Sequence, residues 1–172
     1  MWIDFMKKVT GLFVFMALAM LVHIEAQAET QSQGVDAEQF YVGGGLGFNS
    51  LPGAGSATGF QIIGGYEFKT KLNDDITSAL ELGYMDTGNF DHINNTTRSD
   101  DVNGAWVAMV ESVPLTRKAG MLARLGYDFG DDDGLLLGTG LQYKFTTKIA
   151  MRMEYVARQH VNSLQANVLF KF

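Results

Sequence analysis

IAMRMEYVARQ (residues 149–159), HV (160–161) and NSLQANVLFKF (162–172) end the chain. In the first stretch Ile149, Met151, Met153, Tyr155 and Ala157 alternate with Ala150, Arg152, Glu154, Val156 and Arg158. In the last, Leu164, Ala166, Val168, Phe170 and Phe172 alternate with Gln165, Asn167, Leu169 and Lys171. A period of two marks a strand with two unlike faces, and the short break between the stretches marks a hairpin. One face of each strand is apolar and the other carries charges of both signs.

Working backward, the pattern repeats. Residues 135–146 set Leu135, Leu137, Thr139, Leu141, Tyr143 and Phe145 against Leu136, Gly138, Gly140, Gln142 and Lys144. Residues 119–130 set Met121, Ala123, Leu125, Tyr127 and Phe129 against Leu122, Arg124, Gly126 and Asp128. Residues 102–113 set Trp106, Ala108 and Val110 against Val107, Met109 and Glu111. Residues 76–87 set Leu80, Leu82 and Tyr84 against Ala79, Glu81, Gly83 and Met85. Residues 59–69 set Phe60, Ile62, Gly64, Tyr66 and Phe68 against Gln61, Ile63, Gly65, Glu67 and Lys69. Residues 39–48 set Phe40, Val42, Gly44, Leu46 and Phe48 against Tyr41, Gly43, Gly45 and Gly47.

The expected fold is therefore all-β, with eight antiparallel strands in up-and-down order. Each is about 10–12 residues long, close to what a tilted strand needs to cross a bilayer. The strand number is even, as in bacterial single-chain barrels. The connectors form two sets. Residues 49–58, 86–101, 131–133 and 160–161 include the longest and most acidic. Residues 70–75, 114–118 and 147–148 are short turns. Long loops belong outside the cell and short turns in the periplasm, which puts both ends of the barrel chain on the periplasmic side.

Two features turn the apolar face outward into lipid. The opposite face carries Glu67, Glu81, Glu111, Arg124, Asp128, Lys144, Arg152, Glu154 and Arg158. If the apolar face pointed inward instead, its aromatic rings would crowd an interior that eight strands leave barely wide enough for ordinary side chains. The aromatics also sort by height. Phe48, Phe60, Tyr84, Trp106, Tyr127, Phe129 and Tyr155 fall toward the loop end, and Phe40, Phe68, Tyr143, Phe145, Phe170 and Phe172 toward the turn end. Val42, Gly44, Leu82, Ala108, Ala123, Thr139, Leu141, Ala166 and Val168 occupy the middle. Two aromatic girdles around an aliphatic waist suit a bilayer, whose interfaces attract amphipathic rings. The alternative is a periplasmic, lipocalin-like binder with the apolar face inside.

Before the strands, Lys7 and Lys8 precede an apolar run at 9–24, and Ala26 and Ala28 supply small residues for cleavage. Residues 1–28 thus form a secretory signal, cut after Ala28. Met6 is a more usual start than Met1. Residues 29–38 are a polar periplasmic lead-in, and residues 39–172 form the barrel. Removing the signal takes two charges of each sign, so the net charge stays −6. An acidic chain argues against a nucleic-acid partner. Without cysteine there is neither disulfide nor thiolate metal site.

In a narrow lumen, charges must be paired or hydrogen-bonded. Glu67, Glu81, Glu111 and Glu154 are expected to meet Arg124, Lys144 and Arg152 as a structural plug, with inward glycines leaving room. The same residues lining a narrow ion path is the sharper alternative.

Phe40-Tyr41-Val42-Gly43-Gly44-Gly45-Leu46-Gly47, Gly64-Gly65-Tyr66-Glu67-Phe68, Gly140-Leu141-Gln142-Tyr143-Lys144-Phe145 and Arg152-Met153-Glu154-Tyr155 resemble the small outer-membrane β-barrel family. That family includes the transmembrane domain of outer-membrane protein A and the OmpX-type proteins. The ending Val168, Phe170, Phe172 is similar to the signal read by the outer-membrane assembly machinery. The resemblance implies a monomer in contact with outer-membrane lipid and lipopolysaccharide. It also implies a role in envelope integrity, adhesion or host interaction through the loops. The peptidoglycan-binding domain of the full-length protein is not matched here, so cell-wall tethering does not carry over.

Some eight-stranded barrels modify lipid A with a histidine, a serine and a carboxylate. After the signal, the only histidines are His92 in the long second loop and His160 in the last turn. His160 and Ser163 lack the His-x-Ser spacing of the deacylases. Both histidines read as loop residues, and Asp131-Asp132-Asp133 as a solvated turn; three adjacent carboxylates do not easily surround one ion. No catalytic, cofactor or metal site is expected.

Overall fold

The computed structural model describes residues 36–53, 55–68, 76–90 and 101–172. The signal segment, most of the lead-in and the centre of the second loop, including His92, lie outside them. A 3₁₀ turn, Ala37–Gln39, leads in, capped by the Asp36 side chain. Eight strands follow: β1 (Phe40–Leu51), β2 (Gly55–Phe68), β3 (Thr77–Asp86), β4 (Asn103–Pro114), β5 (Ala119–Asp128), β6 (Gly134–Lys144), β7 (Ile149–Ala157) and β8 (Asn162–Lys171). Each pairs antiparallel with its sequence neighbour. β1 pairs with β8, with Gly45 opposite Asn167, so the sheet closes and no edge is left unpaired.

The first hairpin runs further than its sequence suggests. Residues 49–58 read as a loop, yet Asn49 to Leu51 pair with Gly55 to Ala57. Asn49 has the inward parity, and its side chain is satisfied there. Its amide donates to Thr87 O at 3.0 Å, and its Oδ1 accepts from Ser163 Oγ at 2.7 Å. A polar residue satisfied on the lumen face lets the ladder continue to the tip. There Gly53 (φ 87°) takes the left-handed conformation that side chains resist.

Two of the short turns are built alike. In β4–β5 the Thr116 hydroxyl accepts from the backbone N–H groups of Lys118 and Ala119. In β6–β7 Thr146 accepts from Lys148 and Ile149. Each is a threonine-capped turn ending in a lysine.

The faces fall as expected on every strand but β4. Leu46, Leu82, Leu137, Leu141 and Met153 form an exposed waist, flanked by the expected rings at both ends. On β4 the assignment inverts. Trp106, Ala108 and Val110 are buried in the lumen, and their register partners are the inward Gly83, Glu81 and Ala79. Trp106 is thus not part of the loop-end girdle, nor Ala108 part of the waist. The cause is steric. A Cβ on Gly83 would overlap the Trp106 ring, so only glycine opposite leaves the indole its room. Gly65 does the same for Tyr41.

Candidate functional site

The lumen is filled, and its centre is a cluster of four charges. Glu81 on β3 receives Arg124 Nη2 from β5 at 2.7 Å and Arg152 Nη1 from β7 at 2.6 Å, as well as the Tyr41 hydroxyl from β1. Glu154, also on β7, stands 3.1 Å from Arg124 and 3.6 Å from Arg152. Two carboxylates and two guanidinium groups balance. All four residues are buried, a situation that costs several kcal/mol per ion unless pairing and hydrogen bonds offset it.

The surrounding polar groups complete the offset. Gln142 Oε1 accepts from Arg152 Nε at 3.3 Å, and Asn167 Nδ2 donates to Glu154 at 3.4 Å. Arg124 Nε and Nη1 find no acceptor among the described residues. Instead the guanidinium lies 4.6 Å from the Trp106 ring centroid, where the π face attracts a cation. The inversion of β4 therefore serves the charge cluster: the indole face stands beside Arg124 where Glu81 and Glu154 do not reach.

Sequence reasoning found Glu81, Arg124, Arg152 and Glu154, and the barrel brings these four together. The other three expected members stand elsewhere. Glu67 pairs with Lys171 at the turn end, and Lys144 lines the mouth there. Glu111 is not a lumen residue. The inversion of β4 places it on the outward face with Met109, opposite Ser78 and Ala123, and it accepts from Ser78 Oγ at 2.9 Å. Tyr41, Trp106, Gln142 and Asn167 were missed as members. Their lumen contacts depend on which strands face each other across the barrel, and alternation along one strand does not carry that.

Toward the loop end a second layer follows. Gln61 donates to Gln165 at 2.8 Å and to Asn167 at 2.7 Å. Arg158 pairs with Asp128 at 3.0 Å and donates to Ser163 at 3.1 Å. Above these, Ala57, Phe90 and Val161 pack with Leu51 and Val102 in an apolar cluster.

The Asp131-Asp132-Asp133 tip is more than a solvated turn. Asp132 is buried and accepts from the backbone N–H groups of His160 and Val161, both at 2.9 Å. Its Oδ1 also lies 2.7 Å from His160 Nδ1. One carboxylate thus fastens the β5–β6 loop to the β7–β8 loop. Replacing Asp132 by alanine should cost about 1–3 kcal/mol, because one buried and one part-buried backbone donor lose their acceptor. The check is hydrogen exchange: the His160 and Val161 amides should exchange faster, while amides of the central strands stay protected. The Ser163 hydroxyl donates to Asn49 and accepts from Arg158, and no hydrogen bond joins it to His160 among the described residues. Among the described residues, no three His, Asp or Glu side chains are grouped to hold a metal ion.

Val168, Phe170 and Phe172 lie on the outward face, exposed at the turn end of the last strand. The Phe172 N–H donates to Phe40 O at 3.2 Å, which extends the closing seam to the last residue.

Comparison with known proteins agrees with this geometry. No curated protein matches the chain. Neisserial surface protein A superposes with a TM-score of 0.52 at 16% identity, over 81% of this chain and 100% of that one. The attachment invasion locus protein Ail of Yersinia pestis, solved in complex with the heparin analogue sucrose octasulfate, superposes at 0.50 with 13% identity, over 77% and 97%. A de novo designed transmembrane β-barrel does so at 0.52 with 14% identity, over 83% and 100%. At such identities the likeness is one of fold. The description of a whole family goes further: the outer membrane protein beta-barrel domain matches residues 14–171. With its apolar waist turned outward and its central charge cluster sealed inside, the chain belongs to the outer-membrane β-barrel domain family and is a protein of the outer membrane.

Proposed function

We propose that this protein is a non-enzymatic surface protein, acting through its loop end in adhesion or in maintaining the envelope, with a barrel that serves as a sealed stand. The observation that carries this reading is the filled lumen. The Glu81–Arg124–Arg152–Glu154 cluster occupies its middle, the Arg158–Asp128 layer lies above, and Phe90 and Val161 cap it. Eight strands leave no channel once side chains of this size point inward. Activity then falls to the loops, which carry recognition while the strands carry stability. Assembly through Val168, Phe170 and Phe172, and life as a monomer amid lipid and lipopolysaccharide, complete the proposal.

The loop end is acidic: Asp86, Asp101, Asp131 and Asp133 rim it among the described residues. Ail was solved with a sulfated polyanion. An acidic rim repels such a ligand, so the partner chemistry favoured here is cationic.

Two measurements test the proposal. In planar bilayers, purified protein should give no stable large-conductance openings; such openings would refute the sealed lumen. Excising residues 91–100 should leave the boiled and unboiled forms distinct on a gel and the protein in the outer-membrane fraction. Binding of cells to cationic surfaces should fall in the excised strain as in a deletion strain. Unchanged binding in both would exclude the loops as the acting part.

A further inference from the structure

The turn-end mouth of the barrel holds an arrangement of charge that the lumen plug does not use. The backbone N–H of Lys144 donates to Lys118 O, and that of Lys171 to Lys148 O, both at 2.8 Å. Four lysines therefore stand in two side-by-side pairs on successive strand ends, where like charges oppose folding. Three of them, Lys144, Lys148 and Lys171, line a recess of about 70 Å³ together with Glu67 and Gln142. Tyr41 and Leu169 also line it. The Tyr41 hydroxyl is spent on Glu81, so the charge cluster closes the recess on its inner side.

Glu67 pairs with Lys171. Lys144 and Lys148 have no ion pair among the described residues. Among the described residues the recess thus keeps an excess of positive charge, in an open space with room for a few waters or for one phosphate group of a larger ligand. Lysine acts as a point charge toward phosphate. We infer that the turn-end mouth is a phosphate-binding site, with Lys144 and Lys148 as its cationic arms, Lys171 as a third arm held back by Glu67, and a phosphate group on a lipid or a soluble molecule as its ligand. The carboxylate tunes the site: it keeps Lys171 ordered in the empty state and competes with the ligand for it.

The test uses the folded full-length barrel in an uncharged maltoside detergent, in phosphate-free and sulfate-free buffer. Inorganic pyrophosphate is added while backbone amide shifts of residues 144–149 are followed by NMR. Saturable shifts are expected. The K144Q/K148Q variant should raise the dissociation constant roughly tenfold or more, as expected for losing charge-assisted contacts. E67Q, which frees Lys171, should lower it. Unboiled mobility on a gel shows that each variant is folded. A second arm replaces pyrophosphate by nanodiscs of phosphatidylglycerol or phosphatidylcholine. Shifts at the same residues with phosphatidylglycerol alone would make the ligand a lipid headgroup, and shifts with pyrophosphate a soluble phosphate. No saturable shift in either arm, or weaker binding by E67Q, would overturn the site.

Discussion

Replacing Glu81 by alanine is expected to destabilise the barrel by about 3–5 kcal/mol, the range for removing one partner from a buried ion pair. Glu81 receives both arginines and the Tyr41 hydroxyl. Without it, Arg124 and Arg152 share Glu154 alone, and two guanidinium groups face each other in a confined space. The measurement is the urea midpoint of unfolding from lipid vesicles. A double-substitution cycle separates the pairs. Coupling between Arg152 and Glu81, at 2.6 Å, should exceed that between Arg152 and Glu154, at 3.6 Å. Arg152 should show no coupling to Glu111, which lies on the other face of the sheet. Replacing all four charges by leucine and methionine should cost much less than E81A, since no ion is left unpaired. Strict additivity of Arg152 with both Glu81 and Glu154 would mean a lumen wet enough to screen them.

How much of this was legible in the sequence depended on whether a strand's two faces differ. On β7, Arg152, Glu154 and Arg158 share one parity and the apolar residues the other, so the inward face could be read directly. On β4, both parities are apolar: Trp106, Ala108 and Val110 against Val107 and Met109. The single charge, Glu111, decided the reading, and it pointed the wrong way. The error then carried over to the site, because the face that was inverted put Glu111 among the lumen carboxylates. Glu67 and Lys144 were placed on the correct face but do not join the plug, since each sits near a strand end where the lumen opens. The Asp132–His160 clasp joins two hairpins distant in sequence, and its partners become adjacent only when the barrel closes. Alternation is a property of one strand; pairing across the lumen is a property of closure and shear.

The inversion of β4 leads to the other large effect. Trp106 to alanine is expected to cost about 3–5 kcal/mol, the range for truncating a buried aromatic, reduced to the extent that water fills the space. Part of this loss is electrostatic. The indole face is what Arg124 Nε and Nη1 have in place of an acceptor, so the truncation leaves a buried guanidinium half satisfied. Trp106 to phenylalanine should recover part of the loss, since a ring face remains. G83V should act on the same contact from the other side, costing about 1–3 kcal/mol as a clash in a filled core. The orientation itself has a direct optical check. In protein beginning at Glu29, Trp106 is the sole tryptophan. Its fluorescence should be insensitive to lipids brominated along their acyl chains, because the barrel wall separates the ring from them. In G83V, a ring forced out of the lumen would become quenchable by the same lipids. Strong quenching of the unaltered protein would place Trp106 on the lipid face and return Glu111 to the lumen.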